Sequence, residues 1–510
     1  MIFLVLFISV LLAVLVRSRS RKGYGMPPGP KGLPILGNIF QLPPLQFLRF
    51  TEWKEQFGPI FSLNLAGQPV IVINSLEAAV DLLERRSSIY SDRPRVIVAN
   101  EILSGEFMLP LIPYGSLWKK FRKASHEGLR SQIVPVYQDA QALEAATLVQ
   151  NLINRPELWA EEIIKSTASS MKTTIYGTSP LTSITDPVVA YISEMGHRLT
   201  TAVVPGAYFV EFSPKMMYLP TWLAPWKREA MEWHKENTQK LQDLVRLVKE
   251  QVDDGTDYKQ SFVSKLYSAR SRHGLNQKEE AWLTGSIFVA AFDTSSVTLR
   301  FFVLAMRLYP DVMKKAQAEL DRVVGRGRVP NSSDRVKLPY ICAMVKELLR
   351  WGVVAPLGLP HQAQQDDYYK GYFIPKGTLI LVNAWGINHD PDIFPDPHEF
   401  RPERFLDPSE TIDVVVPGTR NQGHVTFGFG RRFCIGMTLA VQFQFINIAT
   451  LLWAANIEPA CNNDGQIITP TNSPAGWVDE GVMVRPASFP VNIVPRFSGA
   501  EAVLRRARGH

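Results

Sequence analysis

A mainly α fold with a few small β-sheets is the fold class that this sequence predicts, on three observations. Apolar residues recur at helical spacing in several segments, Leu76 to Arg86, Leu338 to Trp351 and Met437 to Trp453 among them. Only short stretches alternate or run apolar as strands do, the clearest being Phe61 to Leu65 and Val70 to Ile73 around Gly67. No internal repeat, low-complexity tract or second linker interrupts the chain, so 38–510 is expected to form one domain behind a spanning helix at 1–16 and a hinge at 17–37.

Each element follows from local chemistry. Residues Ile2 to Val16 are apolar apart from Ser9. As a helix they reach roughly 22 Å, against roughly 27 Å of hydrocarbon in a thin membrane, and the basic side chains that follow can snorkel across the difference. A cleavable signal peptide would want a basic start and a small-residue cleavage site, neither of which is clear, so a retained anchor is the better reading. Arg17, Arg19, Arg21 and Lys22 come next, and the positive-inside rule leaves the remainder cytosolic. Pro27, Pro28, Pro30 and Pro34 then stiffen the hinge.

Composition excludes more than it selects. With 510 residues, 46% of them hydrophobic, the chain can bury a large core. The net charge of +7 comes largely from its ends: four charges from Arg17 to Lys22, and two from Arg505, Arg506 and Arg508 less Glu501. No basic face remains for phosphates, so nucleic acid is not an expected partner. Cys342, Cys434 and Cys461 are too few for a disulfide framework and too scattered for a zinc cluster, which suits a reducing compartment. The sequon at Asn331 is of a kind that occurs by chance. Between Val203 and Trp226 lie Tyr208, Phe209, Phe212, Met216, Met217, Tyr218, Trp222 and Trp226. Such a stretch is either core or a membrane-facing surface.

An isolated cysteine is ordinarily a small buried hydrophobe. Cys434 differs, because it stands immediately before the apolar run from Met437 to Trp453, at a helix N-terminus that favours a thiolate able to bind a metal. Glycines on either side would let the backbone approach a flat ligand. The run Phe427-Gly428-Phe429-Gly430-Arg431-Arg432-Phe433-Cys434-Ile435-Gly436 matches F-x-x-G-x-R-x-C-x-G and thereby resembles the haem-binding signature of the cytochrome P-450 family. The resemblance covers nearly the whole chain and implies a cytochrome P-450 fold with a long central helix over haem b (iron protoporphyrin IX). It makes Cys434 the axial iron ligand, sets Phe427 beside the sulfur, and gives Gly430 and Gly436 the loop's fixed glycine positions. Arg432 would then pair with a haem propionate.

Three further segments fall in family order. Glu347 and Arg350, on one helical face, would ordinarily be a solvated pair of little consequence. With Phe400-Arg401-Pro402-Glu403-Arg404-Phe405 downstream, the resemblance makes Glu347, Arg350 and Arg404 a buried triad behind the cysteine loop, the carboxylate having bidentate donors on both sides. From Ala281 to Leu308 an apolar helix carries Asp293, Thr294 and Arg300. Ala290-Ala291-Phe292-Asp293-Thr294-Ser295 is similar to the family's A-G-x-D/E-T-T/S element, with Ala291 for glycine, where the helix distorts to bind oxygen. Asp293 and Thr294 would relay protons; Thr294 can equally bond back to the carbonyl of Ala290. Trp118 and Arg122 would be a surface cation beside an aromatic, or by resemblance a propionate clamp. His361 would be its third donor, or a satisfied core histidine.

The implied reaction is insertion of one atom of O2 into an organic substrate. No flavin or nucleotide-binding segment follows the cysteine helix, so electrons are expected from an NADPH-cytochrome P-450 reductase, with cytochrome b5 as a further donor, at the endoplasmic reticulum membrane. Pocket residues by analogy are Val96 to Ile112, Phe292, Val354 to Leu359 and those near Trp477. They are mostly apolar, so an apolar substrate is expected, and the style is similar to that of fungal enzymes of secondary metabolism acting on terpenoid or polyketide skeletons. An isomerase, a peroxygenase or a haem carrier would share Cys434 with less need of Asp293 and Thr294.

Overall fold

Helix dominates the computed structural model, which describes residues 25–508 except 205, 256–259, 410–415 and 463. The expected anchor at 1–16 and the basic part of the hinge lie outside the described residues.

Among the described residues ten short strands make four small sheets. β1 (Ile60–Leu65) and β2 (Gln68–Ile73) pair antiparallel, Ile60 opposite Ile73, across a turn in which Ala66 and Gly67 both take positive φ. Further along come β3 (His361–Gln362), β4 (Asp367–Tyr369), β5 (Tyr372–Ile374) and β6 (Leu379–Val382). β6 lies parallel to β2, Val70 opposite Leu379, and β3 closes the far edge against β6. Val70 to Ile73 are fully buried, as the unbroken apolar run requires of an inner strand. The smaller sheets pair β4 with β5, β7 (Ala455–Pro459) with β10 (Val491–Pro495), and β8 (Val478–Asp479) with β9 (Val484–Arg485).

The segment expected to be one helix from Leu76 to Arg86 changes geometry partway. It starts as an α turn at Leu76–Ala79, capped by the Ser75 hydroxyl accepting from the Ala78 N–H (3.2 Å), and widens into π geometry at Val80–Arg85. Hydrophobic periodicity does not distinguish the two, since both bury Leu82 and Leu83.

The central helix, Gln277–Leu308, begins at a capping box. Asn276 Oδ1 accepts from the Glu279 N–H (2.9 Å) and Glu279 returns the bond to the Asn276 N–H (2.8 Å). Helices Trp159–Tyr176, Pro187–Val203, Pro225–Asp253 and Met437–Ala454 pack around it. The central helix and Met437–Ala454 are both long and apolar enough to cross a membrane, but each is mostly enclosed by the rest of the protein. They are the core of the fold.

The aromatic segment divides in two. Tyr208, Met216, Met217 and Trp226 pack against the core, whereas Phe209 and Trp222 are 71% and 72% exposed and Tyr218 is 89% exposed.

Candidate functional site

The loop before helix Met437–Ala454 is folded around its cysteine. The Cys434 N–H donates to the Phe427 carbonyl (2.9 Å), and the backbone N–H groups of Gly436 and Met437, at the helix start, donate to the sulfur. The helix terminus alone does not hold a thiolate: burial pushes the thiol up more than those N–H groups and the charge of Arg122 bring it down. A bound cation is what would complete the deprotonation. Although deep in the protein, Cys434 has an exposed side chain, so its sulfur opens onto an interior space. Two of the loop's glycines have roles within the protein itself. Gly430, at φ +58°, is fixed by a close approach of protein, since a Cβ there would stand 1.9 Å from the Leu83 carbonyl oxygen. Gly436 supplies the N–H at the sulfur.

The structure brings Glu347, Arg350 and Arg404 together, with Glu347 and Arg350 fully buried. Arg350 grips the carboxylate with both Nε (2.7 Å) and Nη2 (2.8 Å). Arg404 donates through Nε alone (3.0 Å), and the Arg401 N–H (2.8 Å) fills the remaining acceptor position, so the second bidentate fork is replaced by a backbone donor. The spare arms of the arginines hold chain rather than charge. Arg350 Nη1 donates to the carbonyls of Asn388 (2.8 Å) and Pro397 (2.9 Å). Asn388 then accepts from the Val425 N–H (2.9 Å) and donates to the Thr426 hydroxyl (3.0 Å), which itself donates to the Leu349 carbonyl (2.6 Å). Asn388 and Thr426 thus connect the triad to the cysteine loop, a link that no sequence spacing announces.

The buried Arg93 and the half-buried Arg432 lie near each other. Arg432 donates to the carbonyls of Ser91 (2.9 Å) and Ile112 (2.8 Å), lies 4.7 Å over the Trp118 ring, and has no partner for its buried Nη1. Arg93, which sequence reasoning missed, donates to the carbonyls of Pro110, Leu359 and Pro360. Burial and then the neighbouring Arg432 push Arg93 down to about 9; burial pushes Arg432 down to about 10, against the pull of Asp92. His361 donates through Nδ1–H to the Tyr90 carbonyl (2.7 Å), and burial followed by the charge of Arg93 holds it neutral. Arg122, one turn from Trp118 and close enough to Arg432 for its charge to act there, donates through Nη2 to the Phe433 carbonyl (2.6 Å) on the cysteine loop, within reach of the sulfur's charge.

On the central helix the stretch Ala290 to Ser295 stays α-helical without a break. The stretch contains no π or 3-10 segment, and Ala291 has the helical preference that the family's glycine lacks. Thr294 bonds back, its hydroxyl donating to the Ala290 carbonyl (2.7 Å). Ala290 and Thr294, one turn apart, are exposed in the middle of a helix that is otherwise buried. Asp293 points elsewhere, against helix Pro187–Val203, where a Cβ on Gly196 would lie 2.2 Å from its carboxylate. Burial, then the charge of Glu480, pushes Asp293 up to about 7. Of the expected pocket residues, Phe292 and Trp477 are packed into the core, Trp477 edge-on to Phe301 at 4.8 Å.

These residues fit a flat, anionic, metal-bearing group. An accessible sulfur aimed at by two N–H groups, an exposed stripe of Ala290 and Thr294, and a guanidinium with one buried nitrogen unpartnered near a second guanidinium call for a metal, a planar surface and carboxylates respectively. Comparison with known proteins agrees. A family model described as cytochrome P-450 matches residues 27–479. Cytochrome P-450 monooxygenase 58 of Postia placenta is 49% identical over 97% of this chain and 93% of its own length. A cytochrome P-450 monooxygenase of Armillaria gallica is 44% identical over 97% of this chain and 94% of its own. Cytochrome P-450 monooxygenase iboC of Amanita muscaria is 36% identical over 99% and 96%.

Proposed function

The chain belongs to the cytochrome P-450 family and is an oxidoreductase of its monooxygenase class, and we propose that it oxygenates an apolar substrate with electrons from an NADPH-dependent reductase. The observation that carries this reading is the Cys434 loop, whose sulfur opens inward at a helix N-terminus. Haem, when bound, supplies an iron that splits dioxygen, one atom entering the substrate and the other leaving as water. Cys434 would hold the iron, Phe427 would cover the sulfur, and Arg432 and Arg93 would take the propionates, with Trp118 backing Arg432 and His361 beside both. Arg122 would tie the loop at Phe433. The apolar composition of Ile97 to Leu103 and the buried Val354 support an apolar substrate, such as the terpenoid or polyketide skeletons of fungal secondary metabolism. Added reductase should consume NADPH faster when such a compound shifts the spin state; consumption indifferent to every apolar compound tried would overturn the substrate class.

Proton supply falls to Asp293 and Thr294. With its value near 7, Asp293 is protonated below neutrality and loses its proton as the pH rises through 7, so turnover that depends on it should fall across that range. Asp293→Asn should lower the rate by about 100-fold or more and flatten that limb. A variant keeping both the rate and the limb would remove Asp293 from the relay.

We place the protein at the endoplasmic reticulum membrane through the 1–16 anchor, with a second contact at Phe209, Tyr218 and Trp222. Exposed aromatics flanked by an apolar face suit a lipid interface. A chain starting at residue 25 should still bind phosphatidylcholine vesicles, and lose that binding when the three aromatics become serine. Failure of the truncated chain to bind would eliminate the second contact.

A further inference from the structure

We propose that Glu84 and Arg420 form a second clamp on the cysteine loop, independent of the Glu347 triad, which fixes the loop's backbone and balances the charge beside the Cys434 sulfur. The proposal rests on Cys434 being the iron ligand, and it concerns two positioning residues that no motif includes.

The clamp is built on the π turn Val80–Arg85. Its Leu83 carbonyl lies so close to residue 430 that only glycine fits, which seats the loop's backbone directly on the turn. One residue on, Glu84 Oε1 accepts from the Gly430 N–H (2.9 Å). The same oxygen accepts from Arg420 Nε (2.8 Å), and Oε2 from Arg420 Nη2 (2.7 Å), a bidentate pair between segments 336 residues apart. Arg420 and Asn421 both hold positive φ, 51° and 64°, a conformation that costs a non-glycine residue about 1 kcal/mol or more and persists where the surroundings impose it. The guanidinium lies 4.6 Å over the Phe433 ring. Phe433 precedes Cys434, and its carbonyl is the one that Arg122 grips.

The electrostatics give the clamp a consequence beyond packing. Burial pushes Glu84 up, but the bonds from Arg420 and Gly430 outweigh it and leave the carboxyl below its ordinary value, so it is ionised at neutral pH. Burial first, and then the charge of Arg420, depress Arg122, the cation that acts directly on the Cys434 sulfur. Glu84 therefore offsets a cation that sits on the Phe433 ring, next in sequence to Cys434, and the charge around a metal thiolate sets its reduction potential.

Three variants separate the effects, measured on the haem-loaded, substrate-free protein by spectroelectrochemistry and on the same protein by amide hydrogen exchange. Glu84→Gln keeps an acceptor for Gly430 but frees the Arg420 charge, so the midpoint potential should move positive with the Gly430 amide still protected. Arg420→Gln leaves Glu84 unbalanced, so the potential should move negative. Glu84→Ala removes the acceptor as well, and exchange at Gly430 should quicken about tenfold or more. Should Glu84→Ala not fold, the opposite signs of the two glutamine variants still decide. Shifts of the same sign, or none, would overturn the charge balance, and unchanged Gly430 exchange in Glu84→Ala would overturn the clamp. A wild-type protein without a thiolate-type Soret band would instead remove the ligand reading on which the clamp rests.

Discussion

Changing Cys434 to serine should abolish the thiolate-type Soret band of the reduced, carbon-monoxide-bound protein completely. A serine hydroxyl does not ionise in this range, so the two N–H groups of Gly436 and Met437 would face a neutral oxygen and the iron would lose its anionic donor. The loop itself should survive, because its shape depends on backbone bonds such as Cys434 N–H to Phe427 carbonyl and not on the sulfur. Thermal unfolding of the serine variant without haem should therefore match that of the unchanged chain without haem. Any residual band at the thiolate position would show that another side chain supplies the ligand.

The second large effect belongs to Glu347→Ala. It leaves two arginines and the Arg401 N–H around a cavity with no acceptor, in a region that excludes water. Removal of one partner from a buried ion pair costs about 3–5 kcal/mol. Because Arg350 also holds the Asn388 carbonyl, and Asn388 holds Val425 and Thr426, the damage should spread to the cysteine loop and appear as haem loss before global unfolding. Glutamine should do little better, since its amide nitrogen would meet a guanidinium N–H. Denaturant unfolding monitored by far-ultraviolet dichroism, together with the haem retained per chain, measures both parts. A loss below about 1 kcal/mol would mean that the triad is dispensable for stability.

What could be read from the sequence was what the sequence holds close together. The cysteine loop spans ten residues and announces itself; Glu347 and Arg350 sit three apart; the central helix carries its period for eight turns. Even Arg404, 57 residues from Glu347, was accessible because its own motif is compact. The residues that escaped have no such signature. Arg93 holds carbonyls, which any residue type provides, and Asn388, Thr426, Glu84 and Arg420 meet only when distant segments are brought together. Conformation also escaped where two geometries share one pattern of burial, as in the π turn at Val80–Arg85. For the aromatic segment, composition could not say which rings face outward, because that depends on what the neighbouring helices leave uncovered.

The pair of arginines has a consequence for the life of the chain before it ever works. Arg93 and Arg432 repel each other with one guanidinium nitrogen unmet, and the single carboxylate of Asp92 offsets only part of a repulsion that a dianionic cofactor would relieve. Whatever binds the native state alone shifts the balance between native and unfolded molecules by mass action. Cofactor supply would then govern how many copies escape proteolysis, so that in a haem-starved cell the polypeptide itself becomes scarce and its lost activity is a secondary symptom.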